Sequence, residues 1–130
     1  MMALAFRAQV GTGAKVLIPG FVISGTQFKT SIIRGVGPTM KSTLPAAVSD
    51  PKITLYSGST VIATNDDYES SPDIPELLFH TNRIGLSPLL AGSKDAAMLV
   101  RLAPGAYTVK LEGSADAPEG LALIELYEAE

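Results

Sequence analysis

The sequence has no cysteine, a single histidine and no long apolar run among its 130 residues. Each absence removes a class of function. Without cysteine there is no disulfide and no thiolate chemistry, so the fold must hold on its core alone. With His80 as the lone nitrogen ligand, zinc lacks its usual donors. A metal here would be a hard, oxygen-seeking ion such as calcium. Apolar runs of only a few residues offer no helix able to cross a membrane, so membrane insertion is not expected. Met1–Arg7 lacks a basic region followed by a long apolar core, so no signal peptide is read there. Four Tyr, four Phe and singly spaced cations argue against nucleic-acid binding.

What is present suits a globular domain. The hydrophobic fraction is 46%, and residues 1–130 read as one domain long enough to build a core. The net charge of −3 conceals a division. Residues 1–52 carry six Lys/Arg against Asp50 alone, while residues 53–130 carry four against twelve Asp/Glu. A basic front and an acidic back would favour head-to-tail association of copies, unless the halves intermix in space.

The periodicity is that of strands. Leu4, Phe6, Ala8 and Val10 alternate with Ala5, Arg7 and Gln9, a half-buried strand ended by Gly11-Thr12-Gly13. That GxG is read as a turn, since no phosphate-loop pattern follows it. Val16–Ser24 and Lys29–Val36 read as two strands joined at Gly25-Thr26-Gln27, and so short a turn predicts that they pair. Pro19-Gly20 predicts a kink, a bulge or an edge position. After a Pro-punctuated connection over 39–51, Ile53–Tyr56 and Val61–Thr64 flank Ser57-Gly58-Ser59-Thr60 as a hairpin. Ala96–Ala103 and Ala106–Glu112 surround Pro104-Gly105, which suits a type II turn. Leu121–Tyr127 is the last strand, following a polar loop over Gly113–Gly120. It alternates Leu121, Leu123 and Glu125 with Ala122, Ile124 and Leu126. About eight short strands at regular spacing predict an all-β sandwich or barrel.

One segment stands apart. Asn65–Glu76, NDDYESSPDIPE, is acidic without a cation. Pro75–Phe79 suggests a short helical turn with proline at its start, and Asn82–Lys94 reads as a long loop.

The stretches RAQVGTGAKVLIPGFVISGTQFKTSIIRGVGPTM, DPKITLYSGSTVIATNDDY, GLSPLLAGSKDAAMLVRLAPGAYTVKLEG and LALIELYE run through nearly the whole chain. In this order they resemble a β-sandwich repeat of large exported bacterial proteins. Leu55–Asp67 and the LAPGAYTV turn at Leu102–Val109 are more distantly similar to bacterial pre-peptidase C-terminal domains. The resemblance implies an antiparallel, jelly-roll-like β-sandwich outside the cytoplasm or at the cell surface, usually one module among several. Such modules are non-enzymatic and serve adhesion, ligand binding, spacing or assembly. No catalytic residue is carried over.

Four chemistries remain to be weighed. Asn65, Asp67, Glu69, Ser71, Asp73 and Glu76 fall at positions 1, 3, 5, 7, 9 and 12 of a twelve-residue loop, the ligand spacing of an EF-hand. Ser70 stands where that loop needs glycine, and a strand precedes it instead of a helix. A calcium site at Asn65, Asp66, Asp67, Glu69 and Asp73 therefore rests on oxygen chemistry, against a solvated acidic loop shaped by side-chain to backbone bonds. Carboxylate-pair hydrolysis at Asp66/Asp67 or Glu69/Asp73 lacks a cleft, and a triad through His80 lacks a GxSxG elbow. Tyr56, Tyr68, Tyr107 and Tyr127 would stack a glycan if they shared a face. Tyr107 and Tyr127 fit core or corner positions with bonded hydroxyls, leaving Tyr68 as the surface candidate. Finally, an edge strand such as Leu4–Val10 could pair with a neighbouring copy. The expectation is a non-enzymatic extracellular structural or adhesion module, assembling into multimers through strand edges or joined to neighbouring domains. The alternative is a calcium- or carbohydrate-binding accessory module.

Overall fold

The computed structural model describes residues 3–10, 16–40, 45–113 and 120–129. Within them lie eight strands and one α-helix: β1 (Ala3–Val10), β2 (Gly20–Ile23), β3 (Lys29–Val36), β4 (Pro51–Ser57), β5 (Thr60–Asn65), α1 (Ile74–Arg83), β6 (Ala96–Leu102), β7 (Gly105–Gly113) and β8 (Gly120–Glu128). They form two four-stranded sheets, in the orders β1-β8-β3-β6 and β2-β7-β4-β5.

The pairing has a simple logic. β4 pairs with β5, β3 with β6, β2 with β7 and β1 with β8, all antiparallel. The chain is thus one long hairpin, folded at the β4–β5 turn, whose successive rungs alternate between the sheets. The β3–β8 and β4–β7 ladders then join the rungs side by side. This is the topology of a jelly roll, as the family resemblance implied.

The same topology overturns two local expectations. In a rolled hairpin the turning strands β4 and β5 are the sequence neighbours that share a sheet. β2 and β3 do not pair: β2 lies against β7 and β3 between β6 and β8. The turn at Gly25, whose φ is 96°, carries the chain across from one layer to the other. Ile23 and Ile33 consequently belong to one interlayer core instead of lying in adjacent rungs of a ladder. Likewise β6 and β7 lie in different sheets. Gly105 opens β7 with φ 154°, a conformation that favours glycine but lies far from the φ of about +80° of a type II turn centre. The predicted β4–β5 hairpin is present, with a register shift at Leu55/Tyr56. Pro19-Gly20 behaves as expected, since β2 begins after Pro19 and lies at a sheet edge. The Gly11-Thr12-Gly13 turn lies outside the described residues, as does most of the Gly113–Gly120 loop.

The interlayer core is built from alternating positions. Ile33 of β3, Ile53 and Leu55 of β4, Leu111 of β7 and Ile124 of β8 are 0–4% exposed, and each such side chain stabilises by about 1.5–3 kcal/mol on burial. Val48, fully buried, enters between two strand ends, where its N–H bonds Leu121 O at 2.7 Å. Gly37 and Gly120 make room for it: a Cβ on either would collide with the Val48 backbone.

A second apolar cluster lies on the opposite face of the first sheet. Ile32, Ala97 and Ala129 from the sheet meet Leu77 of α1 and Tyr68. The expected short turn at Pro75–Phe79 is therefore a ten-residue helix. Proline starts it, Leu77 and Thr81 are buried four residues apart on one face, and Gly85 with φ 77° follows its end. The loop expected to begin at Asn82 begins after Arg83, and its Ile84, Leu86 and Leu89 pack into the same cluster.

Candidate functional site

Two polar regions flank α1 on the outer face of the first sheet. The first is buried and fully engaged. Arg34 and Glu125 are direct cross-strand partners between β3 and β8, 5% and 9% exposed. Arg34 Nε and Nη2 each reach Glu125 Oε1 at 2.8 Å, and Nη1 donates to Ser87 O at 2.8 Å. Glu125 Oε2 accepts from the Tyr127 hydroxyl at 2.7 Å. Burial and this carboxylate push the Tyr127 phenol up to about 12, with Arg34 opposing. Charges this deep are tolerable only when their bonding groups are filled.

Beside it, Asp95 is fully buried immediately ahead of β6. Its carboxylate accepts from Gly37 N at 2.8 Å and from Ser93 Oγ at 2.7 Å, as well as from the backbone N and hydroxyl of Thr39. Its carbonyl accepts from Tyr68 N at 2.8 Å. One aspartate thus ties the end of β3, the segment before β6 and the acidic loop together. Between these groups and the helix is a cavity of about 150 Å³, lined mainly by Leu77, Leu78, Leu86 and Leu89 with Arg34 and Tyr68.

The second region lies on the other side of α1. Asp73, Glu76 and His80 line a groove of about 320 Å³ opposite Thr30 and Arg101. The Arg101 guanidinium stacks 4.9 Å over the Phe28 ring. Phe79 meets His80 edge-on, with ring centres 5.3 Å apart.

The residues expected to bind metal are distributed along the chain path and given other work. Asn65 ends β5, and its amide bridges inward: Oδ1 accepts from Ala97 N at 3.0 Å and Nδ2 donates to Asp67 O at 3.1 Å. Asp66 is exposed. Asp67 precedes a 3₁₀ turn at Tyr68–Ser70. Burial raises its carboxyl above the ordinary 3.8, the charges of Asp66 and Asp50 adding and Lys94 opposing. Glu69 Oε1 accepts from Gly92 N at 2.8 Å. Ser71 is buried, and Asp73 and Glu76 belong to the groove. Among the described residues, no three His, Asp or Glu side chains gather as metal ligands.

The tyrosines form no common platform. Tyr68, expected at the surface, is 4% exposed, and its hydroxyl donates to Leu90 O at 3.0 Å. The apolar ring fills the cluster under the loop, which is why an acidic segment contains it. Tyr107 and Tyr127 have bonded hydroxyls as expected, Tyr107 donating to Ala103 O at 2.6 Å. Among the described residues the exposed aromatic rings are Phe28 and Phe79, at 50% and 63%, neither of which periodicity marks out.

No family model and no curated protein matches this sequence. A solved structure matches the fold. The pre-peptidase C-terminal domain of collagenase from Bacillus anthracis superposes with a TM-score of 0.56, at 9% identity, over 95% of this chain and 88% of that one. The two share their fold. The stretches carrying the sequence resemblance are now placed within it. Leu55–Asp67 includes the β4–β5 hairpin on which the whole chain folds back. Leu102–Val109 is the corner between layers, held by the Tyr107 hydroxyl on Ala103 O. Both are devices of architecture.

Proposed function

We propose that the chain is a non-enzymatic module of an exported bacterial protein, acting outside the cytoplasm by strand-edge association with copies of itself or with neighbouring domains. The supporting observation is the unequal protection of the four sheet edges. β6 is capped at its start, since Asn65 Oδ1 takes the Ala97 N–H and the Asp95 carbonyl just before it takes Tyr68 N. β2 is only four residues long and follows a proline. β5, in contrast, is the six-residue edge TVIATN, without charge, proline or glycine, and it exposes Val61 and Ile62 at 53% and 44%. Such an edge is a template for another strand. β1 is the eight-residue edge of the other sheet. It pairs within its own chain through β8, so the first strand is an edge and not a detached donor. β5 lies against β6 while β1 lies against β7, so the two long edges are on opposite flanks. Joining unlike edges is a heterologous contact, which can propagate from copy to copy.

Light scattering across a concentration series tests this. The mass should rise with concentration, and Val61→Lys with Ile62→Lys should return the protein to monomer by charging the β5 edge. A wild type that stays monomeric at the highest concentration sinks the reading as self-assembly.

A further inference from the structure

The groove between α1 and β6 holds polar groups for which the fold has no use. Asp73, Glu76 and His80 lie at i, i+3 and i+7, one stripe of the helix. Asp73 occupies the N-cap position without making a side-chain capping bond. Among the described residues, no hydrogen bond or ion pair engages the carboxylate of Asp73, that of Glu76 or the guanidinium of Arg101 across the groove. The buried Nδ1 of His80 has no partner either. Phe79, 63% exposed, stands beside Glu76 and His80 on the helix, and Phe28, 50% exposed, lies under Arg101 on the far side. Neither ring lines the groove itself, but each packs against a residue that does, Phe79 against His80 and Phe28 under Arg101.

The chemistry selects a ligand class. Two carboxylates against one guanidinium leave an excess of a single negative charge in the groove, which disfavours a polyanion and is too small to hold a polycation. A ligand rich in hydroxyls gains from every group. Each carboxylate accepts from two hydroxyls, the guanidinium fork donates to adjacent oxygens, and an aromatic face packs against the C–H face of a pyranose ring. The groove volume of about 320 Å³ falls within the range of small-ligand sites, and an open groove admits a chain from the side.

We propose that this groove binds a neutral glycan chain, with Phe79 as the stacking surface and Asp73, Glu76 and Arg101 bonding its hydroxyls. The site is separate from the β5 edge, so it stands or falls independently of strand-edge association.

Native gel electrophoresis through embedded hydroxyethylcellulose, laminarin, mannan or glycol chitin tests it with the whole chain. At least one polymer should retard the protein. Phe79→Ala and Arg101→Gln should each weaken that retardation fivefold or more, with Glu76→Gln acting in the same direction. Val22→Ala, exposed on the other sheet, should leave it unchanged, as should the edge substitution Ile62→Lys. Melting curves matching the wild type confirm that the variants are folded. Absence of retardation by all four polymers overturns the proposal, as does retardation that survives both Phe79→Ala and Arg101→Gln.

Discussion

The polar groups on the two sides of α1 have opposite relations to the fold. On one side, Arg34, Glu125 and Asp95 are buried and Tyr127 is half-buried, with their bonding capacity spent on one another and on the backbone. On the other, Asp73, Glu76 and Arg101 are exposed around an open groove and bond nothing across it. Both regions are rich in charge, and composition alone does not separate them. What separates them is satisfaction. A buried charge must be paired, so its presence is explained by stability and specificity of the fold. An unpaired charge beside an exposed ring costs the fold little and contributes little, so its explanation lies outside the chain.

The contrast is broken most directly on the buried side. Arg34→Met leaves Glu125 buried with only the Tyr127 hydroxyl as partner, and should cost about 3–5 kcal/mol. Replacing both, Arg34→Met with Glu125→Leu, should cost much less than that single change, because no uncompensated charge remains. Urea denaturation of the two variants decides it, and a double variant as unstable as Arg34→Met would mean that packing, not charge, sets the cost. Asp95→Ala comes next. It strands the buried Gly37 N–H and frees the Thr39 segment, at about 1–3 kcal/mol for each buried donor left without an acceptor. The same denaturation measurement reads it, together with faster amide exchange at Gly37.

The sandwich was legible because alternation along β1 and β8 and the turn at Gly58 are local signals. The roll was not. Whether Lys29–Val36 pairs with its predecessor or with strands far along the chain depends on which face each strand buries and on the span of the connection. Ile23 and Ile33 suit a flat hairpin and an interlayer core equally well. The buried ion pair did leave a trace, as Arg34 and Glu125 each interrupt an apolar strand, IIRGV and LIELY. A charge in such a run asks for a partner, and only the β3–β8 register says which. The acidic loop was hard to read for a related reason. Spacing borrowed from a metal-binding loop presupposes that backbone, and here Asn65 serves a strand edge, Glu69 binds a backbone amide and Tyr68 points inward.

The third expected effect concerns pH. Burial and the bond to Glu125 push the Tyr127 phenol up to about 12 in the fold, from an ordinary 10.0. A group whose pKa is raised by folding contributes stability that is complete below the unfolded value and disappears as pH rises through the folded one. The wild type should therefore lose stability relative to Tyr127→Phe between pH 10 and about 12, and the two should run parallel below pH 10. Absorbance of the phenolate on alkaline titration should show one fewer late tyrosine in the variant, the Tyr68 phenol being raised by burial in both. Asp67, also raised, follows the same sign at the acid end. Its contribution is present below 3.8 and is lost as pH rises past its folded value, so Asp67→Asn should gain on the wild type at neutral pH and match it in acid.

The smallest effect is expected in the groove, and it sharpens the comparison most. Asp73→Asn keeps a residue suited to the N-cap and removes a carboxylate that makes no capping bond. It gives up only the favourable placement of a negative charge at a helix N-terminus, about 0.3–1 kcal/mol at an exposed site. Glu76→Gln gives up a fraction of the same term. Each should change the stability by about 1 kcal/mol or less, read from the same urea transitions that register several times as much for Arg34→Met. A loss of comparable size in the groove would mean that these side chains have structural partners after all, and would remove the distinction on which glycan binding rests. Near-neutral stability with altered retention in polysaccharide gels would instead assign the two sides of one helix to two different tasks.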